Sequence, residues 1–67
     1  MITQIGLVAG DIWNYLDNNR GVAAMEEVIR SLQKDRDIVL MSIGWLAREG
    51  HVVLEGESSS YCIRLTK

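Results

Sequence analysis

Between Asp35 and Leu54 the chain reads DRDIVLMSIGWLAREGHVVL, and at Gly50 its apolar pattern changes from the period of a helix to that of a strand. Little else in the sequence restricts the fold as strongly. Asp35 is the predicted N-cap of the helical part, because its carboxylate can accept first-turn N–H groups and suits the positive end of the helix dipole. Gly50 is the predicted stop, since glycine takes the left-handed conformation that ends helices, and Arg48 in the last turn suits the negative end. At about 100° per residue, Leu46, Val39, Ile43, Ala47 and Leu40 share one broad apolar sector. Ile38 and Trp45 form a second apolar edge, which leaves Asp37, Met41, Gly44 and Arg48 as the narrow sector for solvent. A helix apolar around most of its circumference must be covered on more than one side.

Upstream, Thr3 is the predicted cap of a helix reaching Asn18, with Ile5, Val8, Ile12, Tyr15 and Leu16 at helical spacing and Ala9, Trp13 and Leu16 in a neighbouring row. Gly6 and Gly10 on this helix would admit another backbone at close range. Asn18, Asn19, Arg20 and Gly21 read as a turn. Val22 and Ala23 are too short for an independent strand but can pair with the edge of a later hairpin. The second helix is carried by Met25, Val28, Ile29 and Leu32, with Glu26, Glu27 and Arg30 outward. Its start is weak, because Ala23 and Ala24 stand where a capping side chain is expected. Gln33 and Lys34 then leave room only for a tight turn, and a short helix, a tight turn and a longer helix make a helix-turn-helix.

After Gly50, Val52, Val53 and Leu54 favour strand. Tyr61, Ile63 and Leu65 alternate with Cys62, Arg64 and Thr66 as in a half-buried strand. Gly56, Glu57, Ser58, Ser59 and Ser60 form the predicted hairpin tip.

This order of segments resembles a winged helix-turn-helix domain, with SIGWLAREGHV as its most characteristic fragment. More narrowly, TQIGLVAGDIW together with SIGWLAREG is similar to a family of small stand-alone prokaryotic winged-helix proteins of uncharacterised function. The resemblance spans essentially the whole chain. It implies an α+β fold of three helices, a short extended segment before the second helix and a C-terminal β-hairpin wing. It also implies a third helix able to enter the DNA major groove and a wing whose basic residues touch phosphate or the minor groove.

Composition pulls the other way. The formal net charge is −2 and the pI about 5.2, so the chain has no general attraction for phosphate backbones or anionic membranes. Arg36 is the best candidate for a phosphate or base-edge contact, with Lys34 and Arg30 as backbone contacts and Ser42 and Arg48 behind them. The competing reading of Arg30, Lys34 and Arg36 is a solvated surface balanced by nearby acids. Asp35 and Asp37 surround Arg36, and the wing carries Glu55 and Glu57 where the class has cations; Arg64 and Lys67 are the only basic residues of the hairpin region.

Trp45, Ile38 and Trp13 are the candidates for a dimer or partner interface, since large aromatics bury much surface at low conformational cost. Core packing is the alternative for both tryptophans, and the favoured one for Trp13. Sixty-seven residues make one domain, 1–67, near the size where one core is marginal, so a homodimer is expected. No catalytic residue, metal or cofactor is expected. His51 is solitary, and Cys62 sits in an alternating strand and rules out an internal disulfide. Ser58, Ser59 and Ser60 lack a base and an orienting acid, while Glu26 with Glu27 and Asp35 with Asp37 read as helix-start charges. With no signal-like segment and no membrane-length apolar run, the chain is expected to be cytoplasmic, without a membrane partner. Two function classes follow: a DNA-binding, regulator-like homodimer, and a winged-helix module for protein interaction or dimerisation that does not bind DNA.

Overall fold

The computed structural model describes residues 1–57 and 60–66. The first helix, α1 (Ile2–Asp17), is followed by a three-residue strand, β1 (Val22–Ala24). Helices α2 (Met25–Leu32) and α3 (Arg36–Arg48) come next, then strands β2 (Val52–Glu55) and β3 (Cys62–Leu65). This is the α+β winged-helix layout.

Helix α1 starts earlier than a Thr3 cap would place it. Met1 occupies the cap position with no capping side chain, and the Ile5 N–H donates to the Met1 carbonyl at 3.0 Å. Thr3 is therefore inside the first turn and not at its cap. At the other end Gly21, with φ +83°, supplies the reversal, and its N–H donates to the Leu16 carbonyl at 2.7 Å. Gly6 and Gly10 do not serve packing within this chain. A Cβ at either would meet nothing within 4 Å.

Ala24 is the uncapped N-cap of α2, as its side chain dictates. The fold supplies help from elsewhere: the Met25 N–H donates to the Tyr61 carbonyl at 2.9 Å, so the hairpin satisfies one of the first-turn amides that the helix itself leaves without a partner. Glu27 does not point freely outward, because it is half-buried and accepts the Tyr15 hydroxyl. The tight turn into α3 is made by Gln33 in the left-handed conformation, φ 54°, an uncommon place for a residue with a side chain.

Both ends of α3 follow from local chemistry. The Asp35 carboxylate accepts the Asp37 N–H at 2.8 Å. Beyond Arg48, Gly50 has φ +80°, its N–H donates to Ala47, and the His51 N–H reaches back to Leu46 at 2.9 Å. This paired closure is the Schellman arrangement, and it delivers the chain directly into β2.

Val22 and Ala23 pair as expected, and the consequence is a three-stranded sheet in the order β1-β3-β2, antiparallel throughout. Strand β3 is central because it is the one that both neighbours need. Ala23, Ile63, Leu65 and Val52 lie on its inner face and are buried, while Arg64 faces out and pairs with Glu55 at 3.0 Å. The core joins these residues to Val8, Ile12 and Leu16 of α1, Val28 of α2, and Val39, Ile43 and Leu46 of α3. Gly56 begins the wing with φ +103°. Ser58, Ser59 and Lys67, assigned to the wing tip and C-terminus, lie outside the described residues. No helix among the described residues is long and apolar enough to cross a membrane.

Candidate nucleic-acid interface

The corner where α2 turns into α3 gathers three of the five predicted contacts. Arg30 is exposed in the last turn of α2, Lys34 in the turn, and Arg36 on the first residue of α3. The local charge is balanced. Arg36 is held by Glu26 in a two-pronged pair, Nη1 to Oε1 and Nη2 to Oε2, both at 3.1 Å. This fork geometry is the strong form of the Arg–carboxylate interaction. It remains open to water, with side-chain exposures of 56% for Arg36 and 61% for Glu26. The hydrogen bond and charge of Arg36, with Arg30 adding, hold the Glu26 carboxyl below the usual range, and the same contact raises Arg36.

Ser42 is not on this surface. It is fully buried, and its hydroxyl donates to the Ile38 carbonyl at 2.7 Å and, across the helix interface, to the Ile5 carbonyl at 3.2 Å. No nucleic acid can reach it, so it is withdrawn from the interface and becomes a link between α1 and α3. Arg48 is exposed, yet it stands twelve residues beyond Arg36, about 18 Å along the helix axis. It is not part of the corner. The outward face of α3 consists of Asp37, Met41, Gly44 and Arg48, as its periodicity predicts, and offers few base-reading groups.

The predicted partner surface is divided. Ile38, Ser42 and Trp45 recur at helical spacing and face α1, which crosses that row at Ser42. Ile38 consequently falls on one side of α1, in a shallow depression with Leu7, Asp11 and Lys34. Trp45 falls on the other, sharing a depression with Trp13, Gly6, Gly10 and His51 and a second one with Ile2 and Ile5. Trp45 is 46% exposed, and its ring lies 6.2 Å from that of His51, tilted by 38°. Trp13 and Ile38 are half-buried against the core.

A family model described as Winged helix-turn-helix domain (DUF2582) matches residues 1–65. The chain belongs to that family. An uncharacterized protein of the archaeon Methanocaldococcus jannaschii is 32% identical over 63 residues, which is 92% of this chain and 90% of the relative. The DUF2582 match covers every element described above, including β1 and the hairpin, so the helix-turn-helix and its wing belong to one family unit.

Two features of this DUF2582 surface escaped sequence reasoning. Glu26 reads locally as a helix-start charge, and nothing about its ten-residue separation from Arg36 signals that the turn closes them into a pair. The exposed Ile2 and Leu7 were detectable, since both lie off the Ile5, Val8, Ile12 row. Among the described residues no group of three or more His, Cys, Asp or Glu side chains is arranged to hold a metal.

Proposed function

We propose that this DUF2582 chain is a non-catalytic, cytoplasmic, single-domain DNA-binding protein of regulator type that works as a homodimer. Its winged helix-turn-helix fold makes DNA binding or regulation the general expectation for the chain. The observation that carries the specific reading is the corner at which Arg30, Lys34 and Arg36 are exposed together at the leading end of α3, where this fold meets a phosphate backbone. Arg48 serves as an outlying contact. The assignment is tested by titrating purified protein against random-sequence duplex DNA at 50 and 200 mM salt. Binding should weaken steeply with salt, and Lys34→Ala with Arg36→Ala should weaken it and flatten that dependence by at least one contact's worth while the protein stays folded. No binding by a folded wild type at 50 mM salt would overturn it.

A second reading is favoured by a different observation. Trp45 remains 46% exposed between two depressions on an uncharged stretch of α1, and Ile2 is 86% exposed beside it. A winged-helix module that associates through the Trp45 and Trp13 side of α1, without DNA, uses that surface. An uncharged patch can face its own copy about a two-fold axis without repulsion. A wild type that sediments as a monomer at high concentration would sink the homodimer and leave only a different protein as the occupant of this surface.

A further inference from the structure

The Arg36–Glu26 pair has a property that neither residue has alone. A guanidinium whose fork is filled by a carboxylate presents no free fork to a phosphate, because phosphate and carboxylate compete for the same two N–H donors. The cation best placed to touch DNA is therefore already occupied by an anion of its own chain.

The geometry of the surroundings determines what kind of occupation this is. The pair lines a cleft of about 530 Å³ between the start of α2 and the entry to β3, together with Met25, Tyr61 and Cys62. Both side chains are more than half exposed, so an incoming phosphate can reach Arg36 and displace Glu26 without disturbing the core. Neither partner is needed to hold the backbone. Glu26 sits beside Glu27, which supplies the helix-start charge independently and is engaged with Tyr15. The cap of α3 is made by Asp35, not by Glu26. Removing Glu26 thus frees a cation and leaves the scaffold in place.

We propose that Glu26 is an autoinhibitory contact that competes with the DNA backbone for Arg36. The proposal rests on the DNA-binding reading above. The phosphates of any duplex must displace Glu26 before Arg36 contributes. Glu26 in this way holds back the backbone affinity that Arg36 would otherwise add, through an internal competing group.

The test compares wild type, Glu26→Gln, Arg36→Gln and the double variant in titrations against random-sequence duplex DNA at 50 and 200 mM salt, with folding checked by circular dichroism. Glu26→Gln removes a negative charge and releases Arg36, so it should steepen the logarithmic salt slope by about 0.9, the value of one phosphate contact. The gain in affinity should be on the order of tenfold at 50 mM and about a third of that at 200 mM, since a fourfold rise in salt at that slope removes a factor of about 3.5. In the Arg36→Gln background the same Glu26→Gln change should lose the steepening of the slope, because no guanidinium remains to be freed.

Three outcomes overturn the proposal and are distinguishable. If the wild type binds and Glu26→Gln binds with equal affinity and slope, the competition is refuted while DNA binding stands. If Glu26→Gln gains equally with or without Arg36, its charge acts through the general field and not through Arg36. If neither wild type nor Glu26→Gln binds at 50 mM salt, the DNA-binding reading falls and the proposal with it.

Discussion

Replacing Ser42 by alanine separates a residue's apparent chemistry from its position. The hydroxyl is fully buried and donates to two carbonyls, Ile38 at 2.7 Å within α3 and Ile5 at 3.2 Å on α1. Both carbonyls lie inside helices and keep a backbone N–H donor when the hydroxyl is removed, so alanine leaves no orphan acceptor. The larger penalties that follow from an unsatisfied buried group do not apply. What is lost is one net hydrogen bond with a second, longer component, and an oxygen-sized gap that alanine only partly closes. The expected cost is about 1 kcal/mol. For a domain of 60–100 residues a loss of 1 kcal/mol lowers Tm by roughly 4–8 °C. Thermal unfolding followed by circular dichroism measures this directly. Affinity for DNA per folded molecule should be unchanged. A stability equal to wild type would refute the role of the hydroxyl as a link between helices; a specific loss of DNA affinity with stability intact would return Ser42 to the interface. Valine at the same position adds volume where none is free, and overpacking costs typically about 1–3 kcal/mol beyond the lost bond.

Further perturbations test other parts of the molecule. Gly56→Ala should destabilise the hairpin by about 1–3 kcal/mol, because its φ of +103° strains any side chain and the new Cβ would stand 2.5 Å from the Ser60 carbonyl oxygen; a Tm equal to wild type would show that the wing does not require this backbone. Trp45→Ala should shift a concentration-dependent sedimentation profile toward monomer while leaving helicity intact, and an unchanged profile would remove Trp45 from any dimer face. Glu26 is held below its ordinary value by Arg36, so the stability it contributes is present above the unfolded carboxylate range and is lost as pH falls through its lowered folded value. The stability difference between wild type and Glu26→Gln should therefore be constant from neutral pH down to about pH 4.5 and disappear in stronger acid; a difference that persists there would mean the effect is not ionic. The pair is exposed, so that difference is small and shrinks with added salt.

Most of the architecture was legible because it is written in local rules. The Asp35 cap, the Gly50 stop and the change of period at Gly50 each concern residues within one turn of each other, and each forms as its side chains require. Even the short Val22–Ala23 segment was readable as a pairing strand, since its brevity leaves it no independent stability. The failure at Thr3 belongs to the same local level: a capping residue type is permission, and the helix can begin before it when nothing stops it. For the candidate interface the local rules placed Arg30, Lys34 and Arg36 on one exposed corner but misplaced Ser42, whose polarity suggested surface.

Sequence alone thus determined the order of the helices and strands, the cap and stop of α3, that the elements make a winged helix-turn-helix, and most of the apolar rows that form the core, because backbone caps and periodicity act over a few residues. Tertiary structure alone decided the rest. It chose which polar residue is buried when α1 crosses α3 at Ser42, parted Ile38 from Trp45 on either side of that crossing, and closed Glu26 onto Arg36 across the turn. Those relations join residues far apart along the chain, and their geometry exists only once the helices have packed.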